Sequence, residues 1–369
     1  MFRANVTRAA AVGAVSILVA SLSACGGDDG GDEGGSATPK VGVILPDTVT
    51  SPRWEANDRP SLEAAFDEAG IESTIENADG DVSKFSAICD SMIGEDVTVL
   101  MIVNLDSESG AACLDRAKQN GIATIDYDRL TLGGDADYYV SFDNVQVGRL
   151  MGEGLQQCLD DAGKAQANIV YVNGAPTDNN AALFKQGYEE ALQPKIDSGD
   201  YTLVGDQTGE WDAEIAGTTF EQMYTQNDGN IDGIISANDT MAGGIIARLK
   251  QNGVAGEIPV TGQDASVEGL QNILAGYQCM TVYKNTDLEA TAASDLAIAL
   301  ANGDTETADS LATGSVPDTE LGEDVPSVLA TPEAIYRDTV KDVIADGFQS
   351  ADDVCTGEFA RFCTEYGVT

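Results

Sequence analysis

Short apolar runs alternate with longer amphipathic stretches along the chain, and this alternation constrains the fold more than any other feature. Residues 41–45, 97–103 and 123–125 are rich in β-branched side chains and bounded by turn residues, as is typical of buried parallel strands. The stretches between them have helical periodicity. With a further strand predicted over residues 138–142, the first part of the chain predicts a βαβα arrangement.

The same pattern starts again in the second part of the chain. It predicts strands, with helices between them, over residues 169–172, 203–204, 231–236, 259–262 and 280–283. Two such blocks in a chain of 369 residues predict an α/β fold of two doubly wound, Rossmann-like lobes. Neither block contains G-x-G-x-x-G or a Walker A sequence, so we expect no nucleotide or other cofactor and no metal site.

The charge balance narrows the possible partners. The chain has 62 Asp and Glu residues against 19 Lys and Arg, a net charge of −43, and it has no His. Nucleic acid is not expected as a partner because phosphate binding needs clustered Lys and Arg, and an anionic membrane surface would repel the folded part. The absence of His removes His-based triads and His-ligated metals, whereas carboxylate or Ser-Lys catalysis stays open.

The residues that follow the predicted strands are candidates for a binding site, because ligands in open α/β sheets lie beyond the carboxyl ends of the strands. These positions are rich in polar and charged residues, and they include Asp128, Arg129, Asn238, Asp264 and Lys284. Such groups can bridge the vicinal hydroxyls of a sugar. The simpler alternatives are a surface ion pair for Asp128 and Arg129, and helix caps for Asn238 and Asp264.

Both tryptophans, Trp54 and Trp211, are predicted in loops beside charged residues. An aromatic ring at such a position can pack on the apolar C–H face of a sugar. A place in the core is the alternative for either ring. Lys185, within a predicted helix, is most simply a solvent-exposed lysine.

Residues 1–24 have the pattern of a bacterial export signal, with two arginines before an apolar stretch. Leu22-Ser23-Ala24-Cys25 resembles a lipobox, so we expect Cys25 to be lipidated and to begin the mature chain. Residues 25–39 are acidic and Gly-rich, which predicts a flexible tether. We therefore expect an exported protein, held on the outer face of the cell membrane by lipid only. A plain signal peptide without lipidation is the alternative.

Six cysteines follow the tether, and an even number in an exported protein favours disulfides over metal binding. The preferred pairs are Cys89–Cys113, Cys158–Cys279 and Cys355–Cys363. The first would join two helices that flank one strand, and the third would close a short C-terminal loop. The second pair remains largely by elimination, so other connectivities stay open.

Seven short segments have an order and approximate spacing that are specific in combination. They are RW at 53–54, YDR at 127–129, SFDN at 141–144, DNNA at 178–181, SANDTMAGG at 236–244, GQDA at 262–265 and MTVYK at 280–284. Together they resemble D-xylose-binding proteins, the sugar receptors of bacterial ABC importers with the periplasmic binding protein type I fold. A related group of multi-sugar receptors shares YDR, FDN, DNNA and GQDA, whereas the SANDTMAGG and TVYK segments favour the xylose group.

The resemblance implies that a monosaccharide is held from both lobes by hydrogen bonds and by aromatic stacking. The implied ligand-binding residues are Arg53, Trp54, Asp128, Arg129, Asn180, Lys185, Trp211, Asn238, Asp264 and Lys284. Asp128 and Arg129 would clamp vicinal hydroxyls, and Trp211 would stack on a ring face. Lys185 stands where the family commonly has Arg, and it offers a point charge instead of a planar fork.

The resemblance also implies discontinuous lobes, with hinge crossings near Asn144, Asn285 and Pro326. Closure of the lobes around the sugar would present a joint surface to a membrane permease. The protein is therefore expected to be a monomeric receptor that delivers D-xylose to an ABC permease. The implied boundaries are residues 40–143 plus 286–325 for lobe 1, and residues 144–285 plus 326–369 for lobe 2.

Other functions fit parts of the sequence. A multi-sugar receptor that signals to a chemoreceptor or a sensor kinase would have the same fold and motifs. A secreted carbohydrate-active enzyme is disfavoured, because no spacing singles out a pair of catalytic carboxylates, and enzymatic activity is not expected. A repressor-type sensor domain would need a leading helix-turn-helix, where this chain has a signal sequence and a tether.

Overall fold

The computed structural model describes residues 38–368. The predicted signal sequence, Cys25 and nearly all of the predicted tether lie outside the described residues. Within the described part, no helix is both long enough and apolar enough to cross a membrane.

Strands and helices alternate through most of the described chain. The strands are β1 (Lys40–Leu45), β2 (Glu72–Asn77), β3 (Val99–Ile102), β4 (Ala123–Tyr127), β5 (Tyr138–Phe142), β6 (Ala167–Asn173), β7 (Tyr201–Thr208), β8 (Gly233–Ser236), β9 (Thr281–Tyr283), β10 (Gly314–Asp318), β11 (Glu323–Ala330) and β12 (Glu333–Ile335). The helices are α1 (Arg59–Ala69), α2 (Val82–Gly94), α3 (Ser107–Gln119), α4 (Asn144–Asp161), α5 (Asn179–Asp197), α6 (Ala213–Gln226), α7 (Asp239–Asn252), α8 (Val267–Ala275), α9 (Thr286–Ala301), α10 (Thr305–Leu311), α11 (Val340–Ala345), α12 (Ala351–Val354) and α13 (Ala360–Tyr366). A π-helical turn over Trp54–Asp58 leads into α1.

The first sheet has seven strands in the order β10-β11-β5-β4-β3-β1-β2, parallel except for the β10–β11 hairpin. One face packs on α1 and α9, and the other face packs on α2 and α3. The strand predicted over residues 138–142 is confirmed as β5. Sequence reasoning missed β2, because this edge strand is half-exposed and its sequence, ESTIEN, is largely polar.

The second sheet contains β7-β6-β8, which continue through two isolated bridges to the antiparallel pair β9–β12. The strand predicted over residues 259–262 is reduced to one bridge, between Val260 and Ile234. Pro259 has no N–H to donate, which shortens the pairing at its start. Helices α4 and α5 pack closely, which is possible because Gly148 has no Cβ. A Cβ at this position would lie 2.0 Å from the carbonyl oxygen of Phe184.

The chain passes from one sheet to the other three times, after β5, after β9 and after β11. The first two passages lie at Asn144 and Asn285. The third lies at Thr331-Pro332, so its predicted position near Pro326 is wrong. Pro326 lies inside β11 where that strand pairs with β10, and pairing with β5 begins at Ser327. We define the lobes by the sheet to which their strands belong. Lobe 1 is residues 40–143 and 286–330, and lobe 2 is residues 144–285 and 331–368.

The structure contains the three disulfides that the sequence predicted. Cys89–Cys113 joins α2 to α3 within a buried core of lobe 1. Cys158–Cys279 joins the end of α4 to the segment before β9. Cys355–Cys363 closes the C-terminal segment, which packs against α8.

Candidate functional site

The carboxyl ends of the parallel strands in both sheets meet at one polar cavity between the lobes. Its walls contain nine of the ten predicted ligand residues, and only Lys185 lies elsewhere. The residues that line the cavity are Thr50, Ser51, Arg53, Trp54, Asp128, Arg129, Asp178, Asn180, Phe184, Trp211, Asn238, Gln263, Asp264 and Lys284. Three of the 19 basic residues of this very acidic chain therefore converge on a single site.

Arg53 is buried and held by three acidic side chains. Its Nε and Nη2 donate to both oxygens of Asp58, at 2.9 and 2.6 Å. Nη1 donates to Asp128 at 2.7 Å, and Nη2 also donates to Glu289. Four of the five guanidinium N–H groups are thus occupied, which leaves one for a ligand. Burial raises the pKa of the Glu289 carboxyl to about 8, although Arg53 opposes that effect.

Asp128 has a left-handed backbone conformation, with φ of 62°. Its carbonyl oxygen accepts hydrogen bonds from Tyr139, Ser141 and Asn180, each at 2.9 Å, and these bonds hold the turn in place. Burial disfavours the charge of its carboxylate, but Arg53 and then Lys284 lower its pKa below the usual value. Asp128 is therefore a rigidly held anion at the cavity wall.

Arg129 and Trp211 share one anchor, Asp178, which the sequence analysis did not place among the ligand residues. The Arg129 Nε lies 3.1 Å from the Asp178 carboxylate, and the Trp211 Nε1 donates to it at 3.2 Å. Asp178 also caps α5 by accepting the N–H of Asn180 at 2.9 Å. Burial raises the pKa of Asp178, while Arg129 acts in the opposite direction. The Trp211 ring lies so close to Gly174 that a Cβ there would be 2.0 Å from it.

Lys284 connects the carboxylates of the two lobes. Its Nζ lies 3.8 Å from Asp128 in lobe 1 and 3.6 Å from Asp264 in lobe 2. The rings of Phe142 and Phe184 lie 5.6 and 5.8 Å from the same ammonium group. Because the Lys284 side chain is 4% exposed, its charge acts in a nearly water-free environment.

Hydrogen bonds between lining residues join the lobes at the cavity. The Ser51 hydroxyl donates to Asp264 at 3.2 Å, and the Asn238 side chain donates to the carbonyl of Thr50 at 3.2 Å. Asn238 also caps α7 by accepting the N–H of Met241 at 2.9 Å. The helix-cap interpretation and a place in the cavity wall are thus both correct for Asn238.

The structure does not bring Lys185 to the cavity. Its Nζ forms an ion pair with Asp206 at 2.6 Å on the outer side of α5. Phe184 is the residue of this turn that lines the cavity, and the next residue of a helix is rotated by about 100°. The alternative of a solvated helical lysine is therefore the better description of Lys185.

Five lining residues were not among the predicted ligands. Asp178 and Gln263 do stand in the DNNA and GQDA segments, so the motifs contained a signal for them. Phe184 lies directly before Lys185 in a helical pattern, and nothing in that pattern shows which of the two faces the site. The remaining two, Thr50 and Ser51, lie in the loop after β1, where the sequence has no distinguishing feature.

The site combines features of a polyol receptor. Its lining contains three cations, three carboxylates and three side-chain amides, and the rings of Trp54 and Trp211 form parts of its wall. This set supplies both donors and acceptors to vicinal hydroxyls, and flat apolar surfaces to C–H groups.

Comparisons with known proteins agree with this geometry. A family model described as a periplasmic binding protein domain matches residues 41–305. The chain is 34% identical to the D-xylose-binding periplasmic protein of Escherichia coli (strain K12), over 85% of this chain and 92% of that relative. It is 33% identical to a multiple sugar-binding periplasmic protein of Azospirillum brasilense, over 84% of this chain and 88% of that relative. A carbohydrate transporter solute binding protein from Chloroflexus aurantiacus, solved in complex with D-glucose, is similar with a TM-score of 0.77 and 29% identity, covering 86% of this chain and 98% of that one.

Proposed function

Because this chain belongs to the periplasmic binding protein family, we propose that it is an exported sugar receptor of an ABC importer with D-xylose as its ligand. It is a binding protein and not an enzyme, like the relatives and structural neighbours that it resembles. The observation that carries the proposal is the convergence of nine predicted ligand residues, from both lobes, on one polar cavity.

The sugar would bind between the carboxylates of the two lobes. Asp128 and Asp264 would accept hydrogen bonds from its hydroxyls, and Lys284, which lies between them, would donate to its oxygens. Arg129 would donate through the N–H groups that Asp178 leaves free. The Trp54 and Trp211 rings would cover the apolar faces of the sugar ring.

The binding mechanism would be closure of the lobes about three crossings, at Asn144, Asn285 and Thr331-Pro332. In the arrangement described here, side chains of lobe 1 and lobe 2 contact each other at the cavity, as in the bonds from Asn180 to Asp128 and from Ser51 to Asp264. A bound sugar would add its own hydrogen bonds to both lobes and stabilise this closed arrangement. The closed form would present the joint surface that a permease recognises.

A screen of pentoses and hexoses by titration calorimetry tests the proposal on the chain from residue 26 onward. We expect D-xylose to bind most tightly, and Asp264→Ala to weaken it by about 10- to 150-fold, as for a lost hydrogen bond to a charged group. Asp342→Ala, an exposed carboxylate on α11, should leave affinity unchanged. A protein that binds no aldose would contradict the proposed function.

A multi-sugar receptor is the second candidate. The similarity to a multiple sugar-binding protein of Azospirillum brasilense and to a structure in complex with D-glucose favours it. The same screen separates the two, because a multi-sugar receptor would bind D-glucose or L-arabinose within about tenfold of D-xylose, a difference of about 1.4 kcal/mol. A role in signalling to a chemoreceptor or sensor kinase would accompany this second candidate.

Membrane attachment through lipid on Cys25 completes the proposal. The support is the Leu22-Ser23-Ala24-Cys25 sequence and the Gly-rich acidic segment that follows it, both outside the described residues. Replacement of Cys25 by Ser should release the receptor from the membrane fraction or leave it unprocessed. Unchanged membrane retention and mass would contradict lipidation.

A further inference from the structure

The C-terminal segment, residues 340–368, packs on the part of lobe 2 that carries two site residues. Phe348 lies in one apolar cluster with Ile273 of α8 and with Tyr283, and the rings of Phe348 and Tyr283 are 5.1 Å apart. The Gln271 side chain of α8 donates to two backbone carbonyls of α12, each at 3.1 Å. The segment is therefore fixed to α8, which follows Asp264, and to β9, which precedes Lys284.

Asp346, at the end of α11, contacts the second crossing between the lobes. Its Oδ2 accepts the Tyr283 hydroxyl at 2.6 Å and the side-chain N–H of Asn285 at 2.8 Å. These two residues flank Lys284 directly. Asp346 is itself exposed and Tyr283 is 7% exposed, so the bond between the Tyr283 hydroxyl and Asp346 is partly buried.

Both polar groups of the Asn285 side-chain amide form hydrogen bonds. Its oxygen caps α9 by accepting the N–H of Asp287 at 3.0 Å, while its N–H group donates to Asp346. Helix α9 belongs to lobe 1 and carries Glu289, which contacts Arg53. One oxygen of Asp346 thus connects lobe 2 to the start of a lobe 1 helix.

The bonds on both sides of Lys284 restrict the path of the crossing segment. The Lys284 ammonium must stay within 3.8 Å of Asp128 and 3.6 Å of Asp264 to connect the two lobes. Without the Asp346 bonds, the crossing segment would populate other backbone arrangements. The apparent affinity for the sugar would then fall in proportion to the fraction of molecules that keep the arrangement able to bind it.

We infer that Asp346 is a positioning residue for ligand binding, which holds Tyr283 and Asn285 so that Lys284 reaches the sugar. The inference rests on the proposed function, since Lys284 is taken to contact the ligand. The C-terminal segment then stabilises the second crossing between the lobes, in addition to packing against α8.

Sugar affinity of the mature chain, measured by calorimetry with D-xylose, tests this inference. Asp346→Ala should weaken binding by about 5- to 20-fold, as expected if the competent fraction falls to about a tenth. Asp346→Asn keeps an oxygen at the accepting position and should restore affinity to within about threefold of the original. Tyr283→Phe removes one donor only and gives a second, milder variant, with an expected loss of about three- to fivefold. Asp342→Ala on the same helix is the matched control.

A double-mutant cycle separates positioning from a general loss of stability. In a Lys284→Gln background, Asp346→Ala should weaken binding by less than about twofold, because its effect passes through Lys284. Equal losses in both backgrounds, or an Asp346→Ala affinity within twofold of the original, would overturn the inference. If the original protein binds no sugar at all, the proposed function itself fails, and this result is distinct from a failure of Asp346 alone.

Discussion

Asp178→Asn tests whether the ion pair between the lobes contributes to sugar binding. Asp178 belongs to lobe 2 and Arg129 to lobe 1, and their side chains are 5% and 8% exposed. The substitution keeps the shape and one accepting oxygen, but it removes the charge that Arg129 and Trp211 share. Because Asn is as good a helix cap as Asp, α5 should remain intact.

The expected magnitude follows from the burial of the pair. Hydrogen bonds to charged groups contribute about 1.5–3 kcal/mol, which corresponds to an affinity loss of about 10- to 150-fold. The loss applies to the closed arrangement, in which the Asp178–Arg129 pair is desolvated. In the absence of sugar, the melting temperature should therefore change little.

Calorimetry with the best sugar from the screen, together with thermal unfolding of the unliganded protein, is the assay. Asp81→Asn is the matched control, because Asp81 caps α2 in the same way but is exposed on lobe 1. The reasoning is refuted if Asp178→Asn binds within twofold of the original, or if its affinity loss is accompanied by an equal loss of unliganded stability.

Three further predictions use features away from this pair. Lys185→Ala should change sugar affinity by less than about twofold, because Lys185 pairs with Asp206 outside the cavity, and a tenfold loss in a titration would contradict that location. Burial holds the pKa of Glu289 near 8, above its usual value, so the folded state binds the extra proton and its stability falls as pH rises from about 5 to 8. Glu289→Gln should flatten this decrease in denaturant titrations, by up to about 1.4 kcal/mol per pH unit, whereas an unchanged slope would count against the shift. Alkylation of the exported protein under denaturing, non-reducing conditions should label none of the six cysteines after Cys25, and labelling of two or more would reject the full pairing.

The alternation of apolar runs and amphipathic stretches was sufficient to predict the two-lobed α/β fold and the edge of the sheets where the candidate site lies. The fold class can be predicted because it depends on local periodicity. A short apolar run such as Tyr138–Phe142 has the pattern of a buried strand whatever its neighbours in the sheet are. The polar residues after such strands meet at the carboxyl edge by topology alone. The prediction of the ligand-binding residues also depended on the family motifs, and nine of the ten predicted residues line the cavity.

Local pattern did not determine the third crossing or the direction of individual side chains. Proline often interrupts a strand, but Pro326 lies within β11 at a position where the strand pairs with β10 alone, and pairing with β5 begins only at Ser327. Lys185 and Phe184 are neighbours in one helix, and only the packing of α5 against the cavity decides that Phe184 faces it.

The partners of the site residues are also a property of the tertiary structure alone. Glu289 is 236 residues from Arg53, and Asp346 is 61 residues from Asn285, so no spacing rule connects either pair. Their contacts arise because tertiary packing brings separate segments together. Arg53 and Glu289 meet in the dry interior, where a charge is stable only with a partner, whereas Asp346 meets Asn285 at an exposed position. Sequence therefore determined which chemical groups reach the cleft, and tertiary packing decided which carboxylates orient them.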